Sequence, residues 1–121
     1  MSDDDVDLLN SIDGEVIPAL CAHWIVDIGP ATGQRSARFS CSDHRDIDKA
    51  VQAARNALPD WSILTHTERA DWLDKIADAL EARAEEVAQL ESLDAGKPIS
   101  LARAVDATRS VANFRFFAEE V

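Results

Sequence analysis

Two cysteines and three histidines are the side chains of this sequence best suited to attack a substrate, bind a metal or move a proton. His23, His44 and His66 stand far apart, with no Cys-x-x-Cys and no His-Glu-x-x-His, so the spacing offers zinc no ligand set. Each reads more simply as a surface or helix-end histidine. A nucleophilic cysteine needs a helix N-terminus, a base or a cation to favour its thiolate. Cys41, in Ser40-Cys41-Ser42, precedes a helix start and is a better candidate than Cys21, in Leu20-Cys21-Ala22. The plainer reading of both is an inert, packed thiol. Phosphate cradles fail too, because Gly14, Gly29, Gly33 and Gly96 cannot build G-x-G-x-x-G. Ala95-Gly96-Lys97 matches the end of a P-loop, but Glu91 stands where that motif needs Gly and Pro98 where it needs Ser or Thr. Among the carboxylates none is singled out by an apolar setting and a partner, and Glu81, Glu85 and Glu86 fit the solvated faces of helices.

The elements that would have to position any such chemistry change character along the chain. From Ile12 to Phe39, short apolar runs are broken by Gly14, Pro18, Gly29-Pro30 and Gly33, the punctuation of strands and turns. Asp13-Gly14 between Ile12 and Val16 is a hairpin signal. Trp24-Ile25-Val26-Asp27-Ile28 is β-branched and aromatic, Gly29 to Gly33 must turn, and Arg35 to Cys41 can pair back as a further strand. After Ser42 the period becomes helical. Ile47, Ala50, Val51, Ala54, Ala57 and Leu58 form one apolar stripe, and the pattern predicts a stop at Leu58, before Pro59. Thr65-His66-Thr67-Glu68 is a capping box. It opens a second helix with Leu73, Ile76, Ala77, Leu80, Ala84, Val87 and Leu90 inward, ended by Gly96 and Pro98. A third helix runs from about Ser100 through Leu101, Val105, Thr108 and Ala112 to the cluster Phe114, Phe116, Phe117. The division is therefore an acidic flexible tail over 1–10, a hairpin and strand segment over 11–41, and a three-helix segment over 42–121.

Composition narrows the function classes. The chain has 121 residues, 46% of them apolar, which is ordinary for a globular protein. Its 23 acidic and 12 basic residues give a net charge of −11. That balance disfavours nucleic acid or an anionic membrane as partner, since each bound phosphate needs a Lys or Arg. Part of the excess lies in Asp3-Asp4-Asp5-Val6-Asp7, read as solvated tail. No apolar run reaches the roughly 18 residues of a membrane span. The acidic start lacks the basic region and apolar core of a secretory signal. Two cysteines make no disulfide scaffold and fit a cytoplasmic protein. The residues by themselves thus describe an acidic strand-then-helix segment without an autonomous active site.

Word order across the chain carries a resemblance. Ile12-Asp13-Gly14-Glu15, Pro30-Ala31-Thr32-Gly33, the helix Asp46 to Arg55, Trp61-Ser62, Glu68-Arg69-Ala70, Ile76 to Arg83, and Leu90-Glu91-Ser92-Leu93-Asp94-Ala95-Gly96-Lys97-Pro98 occur in order, with family-like spacing. Together they resemble the N-terminal segment of the NAD(P)-dependent aldehyde dehydrogenases, over roughly residues 12 to 118. Ser100 to Arg103, Asp106, Arg109-Ser110-Val111 and Asn113 to Ala118 look most like the members acting on 2-aminomuconate or 2-hydroxymuconate semialdehydes. Gly29, where the family has Asn, and Pro18 to Ala22 depart from the pattern.

The resemblance implies an α/β fold, with the helices forming part of a cofactor-binding domain. It implies a cysteine thiolate attacking an aldehyde, hydride passing to NAD or NADP, and a glutamate activating water, with a carboxylate as product. In family order those residues lie beyond Val121. No catalytic or cofactor-binding role therefore falls on this chain, neither cysteine matches the nucleophile's motif, and the chain alone is expected to be inactive and to bind no cofactor. One family site does reach it. A monovalent cation site would use the carbonyls of Asp27 and Ile28 and the carboxylate of Asp94. The plainer alternative is that Asp94 caps a turn or pairs with Lys97. The implied partners are a small-molecule aldehyde in the full-length enzyme and, for the apolar helix faces, the remainder of that enzyme or a second copy. A different class of function, a non-enzymatic acidic helical interaction module, would use the same faces.

Overall fold

The computed structural model describes residues 6–120. The chain separates into two compact units, one ending at Ile63 and the other starting at Leu64.

Among the described residues the first unit holds five strands and a helix: β1 Val6–Leu8, β2 Asn10–Ile12, β3 Glu15–Ile17, β4 Trp24–Ile28, β5 Arg35–Ser40 and α1 His44–Ser62. β2 and β3 form the hairpin the sequence predicts, with Ile12 opposite Glu15. Its two turn residues, Asp13 (φ 55°) and Gly14 (φ 77°), are both left-handed. That is the condition for a two-residue turn whose twist matches the strands, and Asp-Gly meets it with little strain. β4 and β5 pair antiparallel, with Trp24 opposite Ser40 and an irregularity at Asp27/Ile28. β1 adds in parallel to the other side of β5, giving the order β1-β5-β4.

β1 corrects the tail expected over 1–10. Val6-Asp7-Leu8 alternates as a strand does, and Asp7 is held across the ladder by Arg38 Nη2 at 2.8 Å. Asp3 to Asp5 lie outside the described residues. α1 also belongs with the strands, so the division falls at Ile63 and not at the change of texture after Ser42. α1 runs through Pro59 instead of stopping at Leu58. Proline there costs one backbone bond in the final turn, and the Ser62 hydroxyl donates to the Pro59 carbonyl at 2.9 Å.

The second unit holds α2 His66–Ala82, α3 Ala84–Ala95, α4 Ile99–Leu101, a π-helical stretch Ala102–Ala107, and α5 Thr108–Glu120. The Thr65/Glu68 capping box is present in both directions. The helix it opens is divided at Arg83 (φ −115°, ψ 19°), which ends α2 and begins α3. Arg83 N–H donates back to Leu80 O at 3.1 Å, a tightened last turn, while its guanidinium grips Glu86 at 2.7 Å. Gly96 ends α3 in the left-handed conformation (φ 67°, ψ 17°), which a β-carbon would resist. In the π stretch the wider i→i+5 ring brings residues five apart onto one side of the helix. Ala102 and Ala107 are both buried in this way, clustered with Ala88. The Thr108 hydroxyl donates to the Arg103 carbonyl five residues back, at 3.2 Å.

The interior is built almost entirely from alanine. Ala77, Ala88, Ala102, Ala107, Val111 and Ala118 are the buried apolar residues among those described, and no large side chain is fully buried. The predicted stripes face outward to a large extent: Ile47 is 59% exposed, Leu58 57% and Leu90 58%.

Candidate functional site

Among the described residues Asp46 is the buried charged one, 2% exposed, in the first turn of α1. Its carboxylate accepts from Leu20 N–H at 3.1 and 3.3 Å and from Asp43 N–H at 3.1 Å. The second of these contacts closes a capping box, with Asp43 accepting from Arg45 N–H at 2.8 Å. The first reaches 26 residues back to the loop between β3 and β4. That contact ties α1 to the strand unit. The signal was present as Asp43-His44-Arg45-Asp46, the same spacing as Thr65 to Glu68, with Asp in place of the usual Glu. The Arg45 guanidinium beside Asp43, followed by the Arg45 N–H, holds the Asp43 carboxyl down to about 2. Asp43 is thus charged near neutrality, at the helix end where negative charge is favoured.

The candidate cation ligands fall in different units. Asp27 and Ile28 close β4, where the ladder to β5 shifts register. The turn that follows is locked by Gly29 N–H to Gln34 O at 2.9 Å and Gly33 N–H to Gly29 O at 2.8 Å. The Asp27 carboxylate accepts from the Ser36 hydroxyl. Asp94 is exposed in the last turn of α3. Its alternative partner, Lys97, is engaged elsewhere: its ammonium lies 2.7 Å from Glu91 Oε1 and 3.0 Å from Asp106 Oδ2.

His44 and His66 open α1 and α2, as helix-end histidines do. His23 is different, because its Nδ1 lies 3.3 Å from Cys21 Sγ. Cys41 has its N–H on the His23 carbonyl at 3.0 Å. Among the described residues no group of three or more His, Cys, Asp or Glu side chains is arranged to hold a metal ion. None of their helices is long and apolar enough to cross a membrane.

The aldehyde dehydrogenase family model matches residues 21–121, and the chain belongs to that family. The 2-aminomuconic semialdehyde dehydrogenase of Homo sapiens is 47% identical over 111 residues, covering 92% of this chain and 22% of that protein. The 2-hydroxymuconic semialdehyde dehydrogenase of Pseudomonas sp. (strain CF600) is 40% identical, covering 89% of this chain and 22% of that protein. A solved NAD+ complex of an aldehyde dehydrogenase from Bacillus cereus superposes with a TM-score of 0.86 at 37% identity, over 95% of this chain and 23% of that one. The chain thus spans between a fifth and a quarter of the length of these relatives.

Proposed function

We propose that this chain is the N-terminal segment of a cytoplasmic, NAD(P)-dependent enzyme that oxidises an aldehyde of the muconic semialdehyde class to a carboxylate. What carries the reading is the similarity, over nine-tenths of the chain, to dehydrogenases named for two muconic semialdehydes. NAD or NADP, bound by the whole enzyme, would accept the hydride. The contribution of this segment is structural. Its helices extend the cofactor-binding domain, and their exposed apolar faces receive the remainder of the enzyme. The decisive assay compares the 121-residue chain with the whole enzyme. The chain alone should reduce no cofactor with any aldehyde, while the whole enzyme should turn over a muconic semialdehyde. Cofactor reduction by the short chain that vanishes in Cys41→Ser would overturn the reading. A whole enzyme active on simple aldehydes but not on a muconic semialdehyde would remove the substrate class.

Within that enzyme, Asp27 and Ile28 carbonyls and the Asp94 carboxylate would contribute to a monovalent cation site. All three are hard oxygen donors. The strand irregularity at Asp27/Ile28 interrupts regular carbonyl pairing. Asp94 lies at the negative end of the α3 dipole while the nearby Lys97 ammonium is committed to Glu91 and Asp106. The whole enzyme should melt at a higher temperature in potassium or sodium than in a bulky organic cation, and Asp94→Ala should abolish that difference. An unchanged difference in the variant removes Asp94 from the site.

A further inference from the structure

The sequence favours Cys41 as the more reactive thiol, but the structure gives the base to Cys21. Cys21 Sγ and His23 Nδ1 are 3.3 Å apart, a nucleophile and a base within hydrogen-bonding reach. With its proton on Nε2, the imidazole leaves Nδ1 to accept from the thiol. The residues on both sides of this pair are anchored. Leu20 N–H is held by the buried Asp46 carboxylate, and the His23 carbonyl is held by Cys41 N–H, which extends the β4–β5 ladder by one step. Cys21 is partly exposed and His23 exposed, so a small solute reaches both. Of the charged groups at this end of α1, the Asp46 carboxylate is turned to backbone N–H groups and Asp43 is neutralised by Arg45.

We propose that Cys21, with His23 as its base, is a thiol-modification site that takes low-molecular-weight disulfides. Nδ1 of His23 receives the thiol proton, and Sγ of Cys21 attacks one sulfur of the disulfide. A mixed disulfide forms, the original S–S bond breaks, and the departing thiolate carries away the electron pair. The step uses nothing beyond the thiol, the imidazole and the disulfide.

Oxidised glutathione is a suitable probe, applied near neutral pH to the native protein carrying this segment, with adducts mapped by mass spectrometry over time. Cys21 should be modified at least about tenfold faster than Cys41. His23→Gln should slow Cys21 by about tenfold or more, leaving Cys41 unchanged. Because the base is held in place only by the fold, Cys21 should also react faster in the native protein than in denaturant, a comparison that needs no variant. Faster reaction at Cys41, a Cys21–Cys41 disulfide as the product, an unaltered Cys21 rate in His23→Gln, or equal rates with and without denaturant would each overturn the assignment.

Discussion

Replacing Asp46 by alanine is expected to destabilise the strand unit by about 2–4 kcal/mol. The carboxylate is buried and accepts from two backbone N–H groups, at Leu20 and Asp43. Alanine supplies no acceptor, so both part-buried donors lose their partner, at a cost approaching about 1–3 kcal/mol each where water does not replace it. Hydrogen exchange reads the effect where it arises. The Leu20 amide should exchange at least about tenfold faster in Asp46→Ala, with a smaller change in Asp46→Asn, which keeps one carbonyl oxygen. Unaltered Leu20 exchange in the alanine variant would show that the carboxylate does not hold the loop.

The second large effect concerns the 121-residue chain alone. It is expected to self-associate, to bind a dye that reports apolar surface, and to unfold over a broad range. Among the described residues Ile63 is 79% exposed, Phe117 59% and Trp72 50%, while the buried interior is nearly all alanine. Burying one methyl group stabilises by roughly 0.8 kcal/mol, against about 1.5–3 kcal/mol for a Leu or Phe side chain. Much apolar surface able to stabilise this chain therefore still faces water, and patches beyond a few hundred Å² usually mark a missing partner. Sedimentation as a monomer with a sharp two-state melt would contradict this and mark the segment as autonomous.

Features set by neighbouring residues were legible in the sequence. Asp13-Gly14 specified its turn, Thr65 and Glu68 their capping box, and Gly96 the left-handed end of α3. Each depends on a handful of adjacent side chains and backbone angles. Other features were not legible there. Pro59 signals a stop, yet a final turn tolerates the loss of one hydrogen bond. The break at Arg83 carries no Gly or Pro to mark it. The π stretch inserts a single residue of register that apolar spacing does not resolve. β1 pairs with residues about thirty positions away, so nothing local announced it. The candidate site divides in the same way. Asp46 had its local signal in the Asp43-x-x-Asp46 spacing, but its bond to Leu20 is non-local. The Cys21–His23 contact depends on anchors from α1 and β5 that no spacing rule contains. Asp27, Ile28 and Asp94 were suggested by family resemblance alone.

The parallel addition of β1 to β5 imposes an order on folding. Residues 6–8 can take their places beside 37–39 only after β5 exists. β5 first meets β4 across the short Gly29–Gln34 turn, a closure of few residues and little entropy. The β2–β3 hairpin closes over two residues and need not wait for either. On a growing chain β1 is thus made before β4 and β5 and yet is the last of its sheet to dock, waiting until β5 is available. The acidic Asp7 suits that interval, because charge on an unpaired strand discourages it from pairing with another chain.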